Sequence, residues 1–418
     1  MAEKRSGREL LASGASIAIA IAVMNVSTYA ATLMAARLLG PAEYGGFAAV
    51  AGLSLVVGVL MLGLQTTGAR RIASSPDHVG EIERAIIRVT HRAALGMALL
   101  CLLLTPAFNV LLNLDSLATA ACVALIAWPM TITGGYAGVL QGERRWAPLA
   151  LLYVAAGVAR LVGTGLLFWY PDEAVAALGL AIGFAAPAAV GWLALRRSAA
   201  YRDATDSGFH GERSILREVA SNSNALLAFF ALSNADVILG RLVLDEHASG
   251  LYAGGLILVK SLLFLPQFVI VVAFPSMSTE TARRKTLIES IAAVVALGVL
   301  GSAVVWGLSG LALTFIGGSE YVAIRDQLWV FALLGTVLST IQLLVYSVVA
   351  RQSRRSVYFV WAALVALALG ATQVSTVTGM LTMVLVIDTV LMVVLLAVSL
   401  WRLAPHTVAS QAAPDPIG

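Results

Sequence analysis

Apolar runs dominate the chain and are interrupted at regular intervals by short polar turns. Two runs without charge, 11–36 and 44–69, flank the segment Arg37-Leu-Leu-Gly-Pro-Ala-Glu-Tyr-Gly-Gly-Phe47. A helix rises about 1.5 Å per residue, so each run is long enough to cross about 30 Å of hydrocarbon. Gly40-Pro41 marks a turn, because proline fixes φ and cannot continue the first helix. The pattern therefore predicts a helix, a tight turn and a second helix. Further spans are expected at 93–112, 117–140, 147–170, 174–195, 218–240, 250–277, 286–316, 327–350, 356–374 and 378–401. The sixth carries Pro187 as a kink, and the eighth carries Pro266 and Pro275 as breaks. Residues 77–92 mix Ile82, Ile86, Ile87 and Val89 with Glu81, Glu83, Arg84, Arg88 and Arg92, which predicts an amphipathic helix at a membrane surface. The stretch 196–217 reads as a polar linker and 403–418 as a disordered tail.

Composition turns this pattern into a class. The chain is 59% hydrophobic and 12% charged, with mean hydropathy +0.89. Soluble domains carry about 25% charged residues. The expectation is an all-α polytopic membrane protein of twelve transmembrane helices. The net charge of +4 then reads as an orientation signal rather than a nucleic-acid footprint. With both termini cytoplasmic, Arg37, Arg241 and Arg325 fall in outer turns, Arg160 and Lys260 fall inside spans, and every other Lys and Arg is inside. The basic start at residues 1–8 precedes a run longer than a signal-peptide core, so the first helix is expected to be retained. Cys101 and Cys122 lie in apolar runs, and no CxxC or zinc spacing occurs.

The second half echoes the first. Arg37 opens the first turn and Gly46 follows nine residues later; Arg241 opens another turn and Gly250 follows at the same interval. The next helices end in Ala69-Arg70-Arg71 and Ala282-Arg283-Arg284. Two six-helix units of the same topology are expected, at 1–195 and 218–402, related by an axis along the membrane normal. Transporters built this way place the substrate path between the halves.

The segment Arg37-Leu-Leu-Gly-Pro-Ala-Glu-Tyr-Gly45, its echo from Arg241 to Tyr252, and the series Tyr252, Lys260, Pro266, Pro275 resemble Wzx-type polysaccharide flippases. These belong to the multidrug/oligosaccharidyl-lipid/polysaccharide (MOP) exporter superfamily. The resemblance implies two six-helix bundles in a V around a central cavity. It also implies transfer of undecaprenyl-diphosphate-linked glycans across the cytoplasmic membrane for surface polysaccharide biosynthesis, alongside a polysaccharide polymerase. Lipid II flippases of the superfamily carry two further C-terminal helices, which makes them a poorer match to twelve spans.

No catalytic constellation accompanies the spans. The five His residues, at 78, 91, 210, 247 and 406, fall in expected loops or helix ends. GxSxG, P-loop and HExxH motifs are absent, so neither an enzyme nor a cofactor is expected. Four charged residues lie deep within spans, away from their inner ends: Arg160, Asp236, Lys260 and Asp388. Each costs about 2.5–3.5 kcal/mol at a helix centre and must face a cavity or a partner. Helix rise places Arg160 about 20 Å from the inner surface and Lys260 about 15 Å from the outer one, with Asn25 also in the outer half. Arg160 and Lys260, with Asn25, are candidate ligands for the diphosphate and glycan; the alternative is structural pairing with Asp236 and Asp388. Those two carboxylates are candidate sites for a coupling proton or sodium ion. Arg37 and Arg241 are expected to shape an outer gate. A drug or metabolite antiporter of the same fold, and a non-transporting scaffold, are the competing readings.

Overall fold

In a computed structural model, residues 7–196, 212–263, 280–350 and 354–402 are described, and all regular structure among them is helical. Among the described residues each expected span has a helical counterpart, the eighth only as far as Leu262 because the rest of it lies outside them. Helix α1 is Gly7–Val57 and α2 is Val59–Ser74. Next come α3 (Val79–Leu103), α4 (Thr105–Leu111), α5 (Leu117–Gly142), α6 (Trp146–Thr164) and α7 (Glu173–Leu195). The second half begins with α8 (Glu212–Val243) and α9 (Glu246–Leu262). It continues with α10 (Glu280–Gly307), α11 (Ser309–Ile316), α12 (Leu328–Ala350), α13 (Arg354–Ala371) and α14 (Val377–Arg402). Among the described residues, nine helical stretches are long and apolar enough to cross a membrane, and the first spans 59 residues. That length exceeds one crossing, and the chain reverses within it at Gly40. Gly40 has φ 72°, a conformation glycine adopts without steric cost, and Pro41 starts the next arm. Pro187 is accommodated inside the continuous helix α7, while Pro266 and Pro275 lie outside the described residues. Most of the expected linker and the whole tail also lie outside them.

The surface helix expected at 77–92 is not a separate element. A short 3-10 turn at Pro76–His78 leads directly into α3, which runs through to Leu103. Ile82, Ile86 and Val89 are fully buried in a cluster with Leu64, Ile72, Val139 and Leu140. An apolar stripe of helical period looks the same whether it faces lipid or another helix, and here the partner is α5. The third span of each half breaks near its end. In the first half the break is at Leu104, before α4; in the second it is at Leu308, before α11. This accounts for the excessive length of the ninth expected span.

The helices pack as two groups, joined where α1 and α2 meet α8 and α9. At the hairpin end of the molecule the two echoed turns lie directly against each other. Gly45 faces Ser249 and Gly250, and Gly250 faces the Pro41 carbonyl so closely that a Cβ would overlap it. The arginine that opens each turn reaches the carbonyl end of the other half's broken third span. Arg37 Nη2 donates to the Thr314 carbonyl of α11 at 3.0 Å. Arg241 Nε donates to the Leu112 carbonyl at 3.1 Å and its Nη2 to the Asn113 carbonyl at 2.8 Å, both just past α4. The last carbonyls of a helix lack intrahelical donors, and the helix dipole favours a cation there. At the opposite end, Arg70 and Arg71 of α2 both pair with Glu218 of α8, with Arg71 Nη2 at 2.8 Å.

Two outcomes test this packing. Gly250→Ala is expected to lower thermal stability in detergent by about 1–3 kcal/mol, because the contact is with backbone that cannot move aside. Gly96→Ala, with open space around its Cβ position, is the control and should change stability by less than about 0.5 kcal/mol. Arg241→Gln removes the charge facing buried Glu173 and is expected to cost about 3–5 kcal/mol, against about 1 kcal/mol for Arg37→Gln with its single carbonyl. Equal losses from the two arginine variants would contradict the inequality of the two clamps.

Candidate functional site

Helices α8, α9 and α14 assemble a polar cluster inside the second half. Residues Asn234 and Asp236 come from α8, Tyr252 and Lys260 from α9, and Asp388 from α14. Lys260 Nζ donates to Asn234 Oδ1 at 3.2 Å. The Tyr252 hydroxyl donates to Asp236 Oδ2 at 3.3 Å, and the Val237 amide donates to Asp236 Oδ1 at 2.8 Å. Asp236 interacts electrostatically with both Lys260 and Asp388, although no direct ion pair joins them among the described residues. Asp388 is 1% exposed, and its Oδ1 has no hydrogen-bond partner. Two carboxylates, one ammonium, a phenol and an amide therefore share one buried region. Such a set can bind a small cation between the carboxylates or an anion at the ammonium.

Arg160 sits in the first half, on α6, away from that cluster. Its Nη1 donates to Thr28 Oγ1 of α1 at 3.4 Å, and its guanidinium lies 4.1 Å from the centre of the Phe184 ring on α7. Gly183 leaves the space that the Arg160 stem occupies. No acid pairs with Arg160 among the described residues, and its Nε has no acceptor. The structural pairing with Asp236 or Asp388 considered from sequence is therefore not what holds it. Cation–π contact and one hydroxyl compensate the charge only in part. Asn25 is half-buried, one helical turn before Thr28, and neighbouring Met24 packs on Gly157 of α6. Arg160 and Lys260 make no contact with each other. Helix α1 lies between them: Thr28 touches Arg160, and the next residue, Tyr29, interacts with Ser261 beside Lys260.

The two gate candidates differ in surroundings. Arg37 is exposed, whereas Arg241 is 2% exposed and lies inside α8 rather than in a solvated turn. Besides the two α4-end carbonyls, Arg241 Nη1 donates to Ser249 Oγ at 3.3 Å and to the Ala42 carbonyl at 3.5 Å. Glu173 Oε2 lies 3.9 Å from Arg241 Nη2. Around Glu173, carboxylate oxygens of Glu43 and Asp115 come within 4.8 Å of it and of each other, and the Glu173 amide donates to Glu43 Oε2 at 2.8 Å. The guanidinium thus offsets a concentration of negative charge at the hairpin end. Sequence reasoning passed over Thr28, Phe184 and Glu173 as site residues. No local pattern marks them, because each matters only through a residue on another helix.

Comparison with known proteins gives the same architecture. A multidrug resistance MATE family transporter of the MOP superfamily, in its inward-facing conformation, superposes with a TM-score of 0.68 at 13% identity, over 91% of this chain and 94% of that one. The eukaryotic MATE transporter AtDTX14 gives 0.66 at 16% identity, over 93% and 94%. A MOP superfamily transporter from Pyrococcus furiosus, described as having a binding pocket of reversed polarity, gives 0.60 at 14% identity, over 93% and 94%. These likenesses establish the fold of two six-helix bundles. No curated protein matches the sequence. The model of the polysaccharide biosynthesis protein family matches residues 10–281. With that match over most of its length and a MATE/MOP transporter fold, the chain belongs to the polysaccharide biosynthesis protein family of membrane transporters.

Proposed function

We propose that the protein is a flippase that carries an undecaprenyl-diphosphate-linked oligosaccharide across the cytoplasmic membrane for surface polysaccharide synthesis. The observation that carries this reading is the state of two half-buried cations. Arg160 has no acidic partner and an unused Nε donor, and Lys260 is held by an amide rather than by a direct carboxylate contact. Arg160, kept in a span without a paired acid, is suited to an anionic ligand, while Lys260 shares its region with Asp236; a diphosphate accepts hydrogen bonds from guanidinium and ammonium groups alike. The two cations come from different halves, on either side of α1. The proposed units are 1–195 and 218–402, joined by the linker 196–217, with both termini cytoplasmic and the Arg37 and Arg241 turns at an outer gate. Membership of the polysaccharide biosynthesis family supports a glycan cargo. Asn25, half-buried near Arg160, is assigned to the glycan side of the path.

Asp236 and Asp388 are proposed as the coupling site for a proton or sodium ion. Their mutual interaction inside one buried cluster, and the orphaned Asp388 Oδ1, support this assignment. The same pair supports a second reading, a drug or metabolite antiporter, in keeping with the MATE fold. The two differ in which substitutions matter.

Reconstitution in vesicles with a defined lipid-linked oligosaccharide separates them. Arg160→Gln and Lys260→Gln are each expected to reduce glycan transport about tenfold or more at normal protein abundance, since a charge-assisted hydrogen bond is worth about 1.5–3 kcal/mol. Full transport by both variants would remove the diphosphate assignment. Asp388→Asn is expected to make transport indifferent to the ion gradient that drives the unaltered protein. If the unaltered protein transports equally with and without proton and sodium gradients, the coupling assignment fails.

A further inference from the structure

A groove at the hairpin end lies on the seam between the two halves. Its volume is about 490 Å³, and it is lined by Ala30, Leu33, Met34, Arg37 and Leu38 of α1 together with Phe168, Thr314 and Phe315. The five α1 residues follow helical spacing and form one continuous stripe. Phe168 ends the 3-10 turn after α6 and belongs to the first half; Thr314 and Phe315 lie on α11 of the second half. Both phenylalanines are about two-thirds exposed, at 66% and 65%. In a protein that spans a bilayer, exposed apolar walls of this kind are suited to acyl chains. Arg37 is the one charged group of the groove. One of its donors is taken by the Thr314 carbonyl, which orients the guanidinium, and no other hydrogen bond occupies it among the described residues.

An apolar trough with one oriented, incompletely used guanidinium at its end matches an amphiphile whose anionic group adjoins an apolar tail. We propose that this groove binds an anionic phospholipid, with its phosphodiester on Arg37 and one acyl chain along the α1 stripe. A phospholipid is favoured over the polyprenyl diphosphate carrier on two grounds: a single cation matches a single phosphodiester, and the groove is too small for a long branched chain. The lipid would fill the seam between α1 and α11 in the hairpin-side leaflet. This inference needs only a membrane-spanning fold and does not rest on the flippase assignment.

Native mass spectrometry of the full chain in detergent tests it, with dioleoyl phosphatidylglycerol, dioleoyl phosphatidylcholine, undecaprenyl diphosphate and inorganic phosphate as probes. Phosphatidylglycerol is expected to be retained about fivefold more strongly than phosphatidylcholine, the contribution of one interfacial cation. Arg37→Gln should remove that preference. Leu33→Trp, which fills the trough and leaves Arg37 and Thr314 in place, should weaken retention of both phospholipids and stands as the deciding variant if Arg37→Gln does not fold. Equal retention of the two phospholipids, or binding unaffected by both substitutions, would overturn the proposal. So would displacement of phosphatidylglycerol by inorganic phosphate, which indicates a bare anion site, or by undecaprenyl diphosphate at equal concentration, which indicates the carrier instead.

Discussion

The architecture depends on how the carbonyl ends of two broken helices are satisfied. Helices α4 and α11 each finish with carbonyls that lack an intrahelical donor. Each is met by an arginine from the opposite half: Arg241 for the end of α4 and Arg37 for the end of α11. The exchange is reciprocal, and it follows the same internal repeat that is visible in the two turns. It explains why cations appear in turns that charge bias along the chain would leave neutral. It also brings Gly45, Pro41 and Gly250 into backbone contact, since small residues alone allow such an approach.

Away from this end, polar groups are rationed. Most serine and threonine hydroxyls in the helices return a hydrogen bond to the carbonyl one turn earlier, as Ser54, Thr131, Thr336 and Thr340 do. Such residues are self-sufficient and need no further explanation. Against that background Arg160, Glu173 and Asp388 are ionisable groups that keep a buried atom without a hydrogen-bond partner. A buried charge is normally paired, and leaving one incompletely paired costs stability. Asp388 in the cluster around Asp236, and Arg160, are therefore among the places where the fold gives up stability.

The spans were legible because hydrocarbon imposes one rule, an apolar run with few or no charges that is long enough to cross, and this chain follows it from 11–36 to 378–401. The repeat was legible from the Arg-to-Gly interval in the two turns. The breaks at Gly58, Leu104 and Leu308 were not, since the residues on both sides are apolar and neither hydropathy nor charge changes across them. The segment 77–92 was misjudged for a related reason: Glu81 and Glu83 are buried, and burial of a carboxylate depends on helices elsewhere in the chain. Depth along a span gave Arg160 and Lys260 their interest, but depth carries no information on rotation about the helix axis. That rotation decides that Arg160 meets Thr28 and Phe184 and that Lys260 meets Asn234. Arg241 read as a turn residue because it ends a span; only the folded chain encloses it.

The chain order of these contacts bears on how the protein is made. Arg160 on α6 is covered by Phe184 and Gly183 of α7, the next span to be synthesised, joined by a short turn. Lys260 on α9 is held by Asn234 of α8, the span synthesised just before it. Each costly cation therefore has its shelter in an adjoining helix. Two helical hairpins can carry these charges into the bilayer as pairs, before the halves of the protein have met.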